Sequence, residues 1–218
     1  YQLHWPERFT NTFGKRGFKH LKDEKWKDNF NEVLHTLDEI IKSGKIRHIG
    51  VSNENPWGTM RFLEEAKNDL PRMITIQNPY SLLNRQFEVG NAEVSMQENV
   101  GLLAYSPLGC GVLSGKYIEK KDLPENRLNL FKRFVRYSSN QSTEAAKLYL
   151  EIANKYQLSL TSMALAFINQ QPFVTSNIIG ATNLEQLKEN IDSIYVSLSA
   201  DVLKEIEKVH EMIPDPAT

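Results

Sequence analysis

An α/β fold of the (β/α)8 TIM barrel kind, incomplete in this chain, is what the sequence predicts, with about the last five βα units and a carboxy-terminal helix present. Two observations carry that expectation. Short apolar runs alternate with helical patterns, which implies parallel strands joined by crossovers. Polar residues gather where each run ends: His4, Ser52-Asn53, Gln77-Asn78, Tyr105-Ser106 and Gly180-Ala181-Thr182. Barrel enzymes build their sites at that end of the strands. An open doubly wound sheet could also use five strands, whereas a closed barrel needs about eight strands and about 250 residues. The chain has 218 residues and opens on an extended pattern, Tyr1-Gln2-Leu3-His4, with no initiator Met. Three further βα units upstream are therefore easy to accommodate. Residues 1–218 are expected to be the carboxy-terminal part of a single barrel domain.

Tyr1 to His4 reads as the end of a strand. After a polar loop, Phe30, Val33, Leu34, Leu37, Ile40 and Ile41 recur at helical spacing, and Gly44 supplies the stop. Residues 46–51 (IRHIGV) form a β-branched run ending in Ser52-Asn53. A helix follows from about Pro56, since proline is tolerated in a first turn. The run 73–77 (MITIQ) predicts the next strand, 88–99 a helix, and 102–105 a strand ending in Ser106-Pro107. Residues 107–141 then show no clear period, glycine-bearing first and basic later. Long segments of this kind in compact domains are usually functional or disordered. Ser142 is expected to cap a helix to about Tyr156, and a second helix covers about 162–170. The run 175–179 predicts the last strand. Asn183 starts another helix, and Ser199 caps a final one with Leu203, Ile206, Val209 and Ile213 on one face.

Composition narrows the function classes. Lys plus Arg is 26 and Asp plus Glu is 27. This balance argues against a nucleic-acid or membrane-surface partner. No apolar run reaches the length of a membrane span. The single cysteine, Cys110, permits no internal disulfide, which points to a reducing compartment and a cytoplasmic location. Several motifs are decoys. Gly109-Cys110-Gly111 follows a strand, but Ser114 occupies the third glycine position of a dinucleotide fingerprint. Gly115-Lys116 resembles a P-loop end, but Tyr117 stands where Ser or Thr is needed. Asn140-Gln141-Ser142 is a formal glycosylation sequon in a chain with no secretion signal. The histidines and Cys110 lack metal-ligand spacing, so no metal site is expected.

Five stretches together resemble the aldo/keto reductases. They are Tyr1 to Pro6 (YQLHWP), Gly44 to Asn53 (GKIRHIGVSN), Thr75 to Ser81 (TIQNPYS), Tyr105 to Gly109 (YSPLG) with Gly111 to Lys116, and Ile179 to Asn190. Their order and spacing resemble the family's fourth to eighth strands across nearly the whole chain. Gln77 to Arg85 (QNPYSLLNR) is most similar to the bacterial Tas-type branch, whose relatives include potassium-channel β subunits.

The resemblance implies an NADPH/NADP-dependent oxidoreductase that reduces a small-molecule carbonyl compound, an aldehyde or ketone, by hydride transfer. His4 matches the active-site histidine that orients the carbonyl; an imidazole can donate one hydrogen bond while fixed by another. Ser52, Asn53 and Gln77 match residues that hold the nicotinamide carboxamide, a group with donors and acceptors that amides and hydroxyls complement. Tyr105 matches the aromatic stacked on the nicotinamide ring. Ser106, Pro107, Leu108 and Gly109 would line the pyrophosphate path, with Lys116 and Arg127 reaching phosphates. Gly180 and Thr182 open a helix whose free N–H groups suit the 2′-phosphoribose, with Gln186, Glu189 and Asn190 near the adenine. Trp5 and Trp57, just past strand ends, are candidates for an apolar substrate wall. The family's tyrosine, lysine and aspartate belong to the first strands, so the 218-residue chain alone is expected to be inactive. Exposed strand edges and poor independent stability are expected for the same reason. The alternative is an NADPH-binding, redox-sensing regulatory subunit.

Overall fold

A computed structural model describes residues 1–11, 15–119, 124, 127–131 and 136–218. The strands are β1 (Gln2–Leu3), β2 (Ile49–Ser52), β3 (Met73–Pro79), β4 (Gly101–Tyr105) and β5 (Val174–Asn177). The helices are α1 (Phe30–Lys42), α2 (Pro56–Glu65), α3 (Asn91–Glu98), α4 (Lys116–Glu119), α5 (Arg127–Leu130), α6 (Asn140–Lys155), α7 (Leu160–Asn169), α8 (Leu184–Asp192) and α9 (Ala200–Met212).

The sheet runs β1-β2-β3-β4-β5, in chain order, and the β1–β2 and β2–β3 pairs are parallel. A doubly wound sheet reverses its strand order at a switch point. No reversal occurs among these strands, so the doubly wound alternative falls. Strands added in one direction are what a (β/α)8 barrel builds.

Contacts cluster in two compact units, residues 1–78 with 87–103, and residues 79–86 with 104–218. In the first, α1 buries Phe30, Leu34 and Leu37, and α2 buries Phe62 and Leu63. Phe30 meets Phe62 edge-on at 4.6 Å between ring centroids. Edge-to-face pairing adds roughly 1 kcal/mol to the area term. All of β2 is buried, as expected of a strand covered on both faces. Gly50 sits where Gln2 and Thr75 converge: a Cβ there would lie 2.8 Å from the Thr75 carbonyl oxygen.

In the second unit, α7 is buried on nearly every side, including Met163, Leu165 and Ile168. Tyr80 is fully buried against Phe173 and Phe167. The Tyr149 hydroxyl donates to the Leu82 carbonyl at 3.1 Å, and Ala217 N–H donates to the Leu83 carbonyl at 3.0 Å. Arg85 Nη1 donates to Glu207 Oε2 at 2.7 Å, while its own N–H donates to Asp215 Oδ1 at 2.6 Å. These bonds tie the turn after Pro79 to the last residues of the chain.

Several boundaries differ from the sequence expectation. Strand β2 begins at Ile49 rather than 46, because pairing with β3 starts at Ile49↔Met73 while Arg47 and His48 are exposed. The cap of α6 is Ser139, whose Oγ accepts from Ser142 N–H at 3.0 Å; Ser142 lies inside the first turn. Its hydroxyl is buried and donates to the Pro216 carbonyl at 3.1 Å, so a tertiary bond claims the group that local pattern assigned to capping. Likewise α7 starts at Leu160, with Ser159 as cap. Helix α3 starts at Asn91 because a 3-10 turn occupies Gln86–Glu88. Strand β5 is Val174–Asn177, starting one residue and ending two residues earlier than predicted. The aperiodic stretch 107–141 contains a 3-10 segment, Gly109–Ser114, then α4 and α5. These pieces are too short to show a helical period. Within it, residues 120–123, 125–126 and 132–135 lie outside the described residues.

Candidate functional site

The first unit gathers four sequence-predicted residues at the carboxy ends of β1, β2 and β3. The Ser52 hydroxyl donates to the Gln77 carbonyl at 2.7 Å, and Asn53 N–H donates to the same oxygen at 3.1 Å. The Asn53 Nδ2 donates to the His4 carbonyl at 2.8 Å and lies 3.2 Å from Ser52 Oγ. Asn53 takes a left-handed φ of 56°, which asparagine tolerates better than most residues. That turn directs its amide back across β1 rather than onward along the chain. His4 is exposed, and its ring meets the Trp5 ring at 5.8 Å. Among the described residues, neither the His4 ring nor the Gln77 amide has a hydrogen-bond partner within the chain, so both keep capacity for a ligand.

Residues absent from the expected set hold this cluster. Arg8 Nη1 and Nη2 donate to Glu54 Oε2 at 3.0 Å and Oε1 at 2.5 Å, and Nη2 also to Asn55 Oδ1 at 3.1 Å. Both charged side chains are buried, with 9% and 2% exposure. The Glu54 carbonyl accepts from Asn78 Nδ2 at 2.8 Å and Asn91 Nδ2 at 3.2 Å. Nothing periodic flags Arg8 or Glu54. The available signal is a Glu placed directly after a strand-end Ser-Asn, in a stretch otherwise apolar or neutral.

The two tryptophans have different settings. Trp5 lines a cavity with Leu3, Arg8, Trp26, Phe30 and Glu54. Trp57, half exposed on the first turn of α2, covers the Arg8 guanidinium at 4.8 Å and meets Trp26 and Phe30 edge-on.

The second unit positions its candidates by backbone conformation. Ser106, Gly109, Cys110, Gly111 and Gly115 all have positive φ. Gly109 N–H donates to the Ser106 carbonyl at 2.9 Å, which closes the turn after β4. Pro107 and Gly109 are buried, Leu108 partly so. Lys116, at the start of α4, folds back over Gly111, where a Cβ would sit 2.8 Å from Lys116 Cε. Its ammonium lies 5.2 Å from the Tyr117 ring and has no ion-pair partner among the described residues. Arg127 is exposed at the start of α5.

Burial pushes the Tyr105 phenol well above the ordinary tyrosine range, opposed by the Arg136 guanidinium, which is also hydrogen-bonded to it. Arg136 Nη2 donates to Tyr137 OH at 2.8 Å. Tyr137 is raised too, first by burial, with Arg136 and a hydrogen bond from Ser106 lowering it. Arg136 and Tyr137 therefore buttress Tyr105 and Ser106. Sequence patterning passed over both, because they sit in the aperiodic stretch.

After β5, Gly180, Ala181 and Thr182 are exposed, and no atom lies within 4 Å of where a Gly180 Cβ would be. Asn183 caps α8 by accepting from Gln186 N–H, while Gln186 Oε1 accepts from Thr182 N–H and Oγ1, each at 3.0 Å. This is a reciprocal capping arrangement. Asn190 is buried and donates to the Gly180 carbonyl at 3.1 Å, and Glu189 accepts from Ser159 Oγ at 2.6 Å. Gln186 and Asn190 thus shape the turn, while Glu189 ties α8 to the cap of α7.

Among the described residues no cluster of His, Cys, Asp or Glu could hold a metal ion, and no helix is long and apolar enough to cross a membrane. The family model described as "Aldo/keto reductase family" matches residues 1–211. Protein tas of Escherichia coli (strain K12) is 53% identical over 223 residues, covering 100% of this chain and 63% of that protein. An aldo-keto reductase of Babesia bovis is 36% identical over 99% of this chain and 81% of its own length. An L-glyceraldehyde 3-phosphate reductase of Escherichia coli O157:H7 is 30% identical over 88% of this chain and 56% of its own length. The chain therefore spans less than two thirds of the tas protein it matches.

Proposed function

This chain belongs to the aldo/keto reductase family, and from that premise we propose that the whole protein reduces a small aldehyde or ketone with NADPH. The observation that carries the proposal is the strand-end cluster of Ser52, Asn53, His4 and Gln77, interlocked but with the Gln77 amide and His4 ring uncommitted. A carboxamide needs one donor and one acceptor in a plane, and a primary amide such as Gln77 offers both. Lys116, with no ion-pair partner among the described residues, supplies a cation for the cofactor's phosphates. Tyr105, half-buried at the end of β4, presents an aromatic ring suited to stacking. A bound nicotinamide supplies the hydride. The chain's own residues do the rest of the positioning: Gln77 and Asn53 orient the carboxamide, and His4 donates a hydrogen bond to the carbonyl oxygen. Trp5 supplies an apolar wall beside His4 and excludes water there. The single cysteine fits a reducing compartment, and we place the protein in the cytoplasm.

The test uses the full-length protein. NADPH oxidation followed by absorbance should appear with a panel of aldehydes and ketones, and Gln77→Ala should raise the Kd for NADPH roughly 10-fold, the loss of about one good hydrogen bond. Absence of NADPH binding would sink the proposal. Tight binding with negligible turnover would favour a redox-sensing role instead.

A further inference from the structure

Three residues of the strand-end cluster each stand close in sequence to a member of the network built around Glu54. Arg8 is four positions beyond His4, Glu54 follows Asn53, and Asn78 follows Gln77. We infer that the buried Arg8–Glu54 pair is a positioning latch that sets the orientation of His4 and Asn53, and with it the affinity for the nicotinamide half of the cofactor. The inference rests on the cofactor assignment above and deepens it.

The segments 4–8 and 52–54 are tied together twice. The first tie is Asn53 Nδ2 to the His4 carbonyl at 2.8 Å. The second is the two-pronged Arg8–Glu54 contact, 3.0 Å on one prong and 2.5 Å on the other. One tie leaves a hinge; two fix the relative orientation of the segments. Glu54 is itself immobilised. Its carboxylate also accepts from Asn55 N–H at 2.7 Å, and its carbonyl takes the amides of Asn78 and Asn91. The left-handed backbone of Asn53 lies between this anchor and β2, so any slackening of Glu54 is transmitted to the amide that crosses to His4.

Shape makes the latch specific for arginine. The guanidinium lies 4.8 Å from the Trp57 ring and 5.7 Å from the Phe30 ring, while its edge meets Glu54 and Asn55. A planar group fills this slot; a lysine ammonium delivers neither the second prong nor the stacking. Gly58 belongs to the same device, since its carbon faces the Arg8–Glu54 contact with no room for a side chain.

A purely structural role makes a different prediction. Replacing a buried ion pair by apolar residues of similar size is often neutral or better for stability. The decisive variants are therefore Arg8→Lys and the double variant Arg8→Met/Glu54→Leu, both in the full-length protein. Each is titrated with NADPH and with 2′,5′-ADP, which carries only the adenine end. The expected result is a double variant with wild-type thermal stability, NADPH affinity lowered about 10-fold or more, and unchanged 2′,5′-ADP affinity, as when a supporting shell around a binding group is removed. Arg8→Lys should show the same selective loss. Equal NADPH affinity in wild type and variants overturns the latch. So does parallel loss of NADPH and 2′,5′-ADP binding, which marks a general structural defect. If the wild type binds neither ligand, the cofactor assignment itself fails, and the latch falls with it.

Discussion

The two units place their candidate groups by different means. In the first, side chains position side chains: Asn53 reaches the His4 carbonyl, Ser52 reaches Gln77, and a buried Arg8–Glu54 pair closes the network. In the second, the turn after β4 is shaped by backbone, with left-handed residues at Ser106, Gly109, Cys110, Gly111 and Gly115. The difference teaches where each is vulnerable. A side-chain network fails when one member is truncated, because its partner is left buried and unsatisfied. A backbone-shaped turn tolerates side-chain loss and fails when a Cβ is added.

The largest effect should come from breaking the first. Arg8→Met leaves the Glu54 carboxylate buried without its partner and should destabilise the full-length protein by about 3–5 kcal/mol in chemical denaturation. A loss near zero would mean that solvent reaches Glu54 and that the side-chain network is not the anchor described here. A smaller effect is expected in the second unit. Gly109→Ala places a Cβ at φ 53°, 3.1 Å from Leu83 Cδ1 and 3.2 Å from Tyr137 Cδ1. The left-handed backbone and the crowding together should cost about 1–3 kcal/mol. Ser106→Ala, by contrast, leaves the backbone in place and removes one of the hydrogen bonds to Tyr137, and should cost only about 1 kcal/mol in the same measurement.

The smallest effect concerns pH. Burial raises Tyr105 above the ordinary tyrosine value of 10.0. The unfolded chain therefore ionises this phenol first. The stability it contributes is fully present below that ordinary value and is lost as pH rises from there toward the folded value. Tyr105→Phe should flatten the fall in thermal midpoint above about pH 10, leaving the neutral range unchanged. An unaltered alkaline slope would count against a buried phenol.

Much of the fold was legible because it follows from period and punctuation. The α1 stripe of Phe30, Leu34 and Leu37 is buried as spaced, Asn183 and Ser199 cap as expected, and Pro56 opens α2. Errors arose where two residues of equal local fitness competed. Ser139 and Ser142 both suit an N-cap; Ser139 takes that place by accepting from Ser142 N–H, while the Ser142 hydroxyl, inside the first turn, lies against the Arg136 and Pro216 carbonyls. The candidate site was legible only through its resemblance and its strand-end polarity. Gln186, Glu189 and Asn190 were placed on the right helix, but their bonds to Thr182, Ser159 and Gly180 could not be read from spacing. Arg8, Glu54, Arg136 and Tyr137 were missed because charged and phenolic groups carry no period.

By itself, then, the sequence determined the alternation of strands and helices, the caps, and the polar residues at strand ends. Each of these depends on neighbours within a few positions. Tertiary structure alone decided that strands add in one direction without reversal, that Arg8 meets Glu54 across 46 positions, and that Asn78 and Asn91 share one carbonyl. The physical reason is separation: a buried charge or amide selects its partner by desolvation and geometry in space, and neither leaves a trace in local pattern.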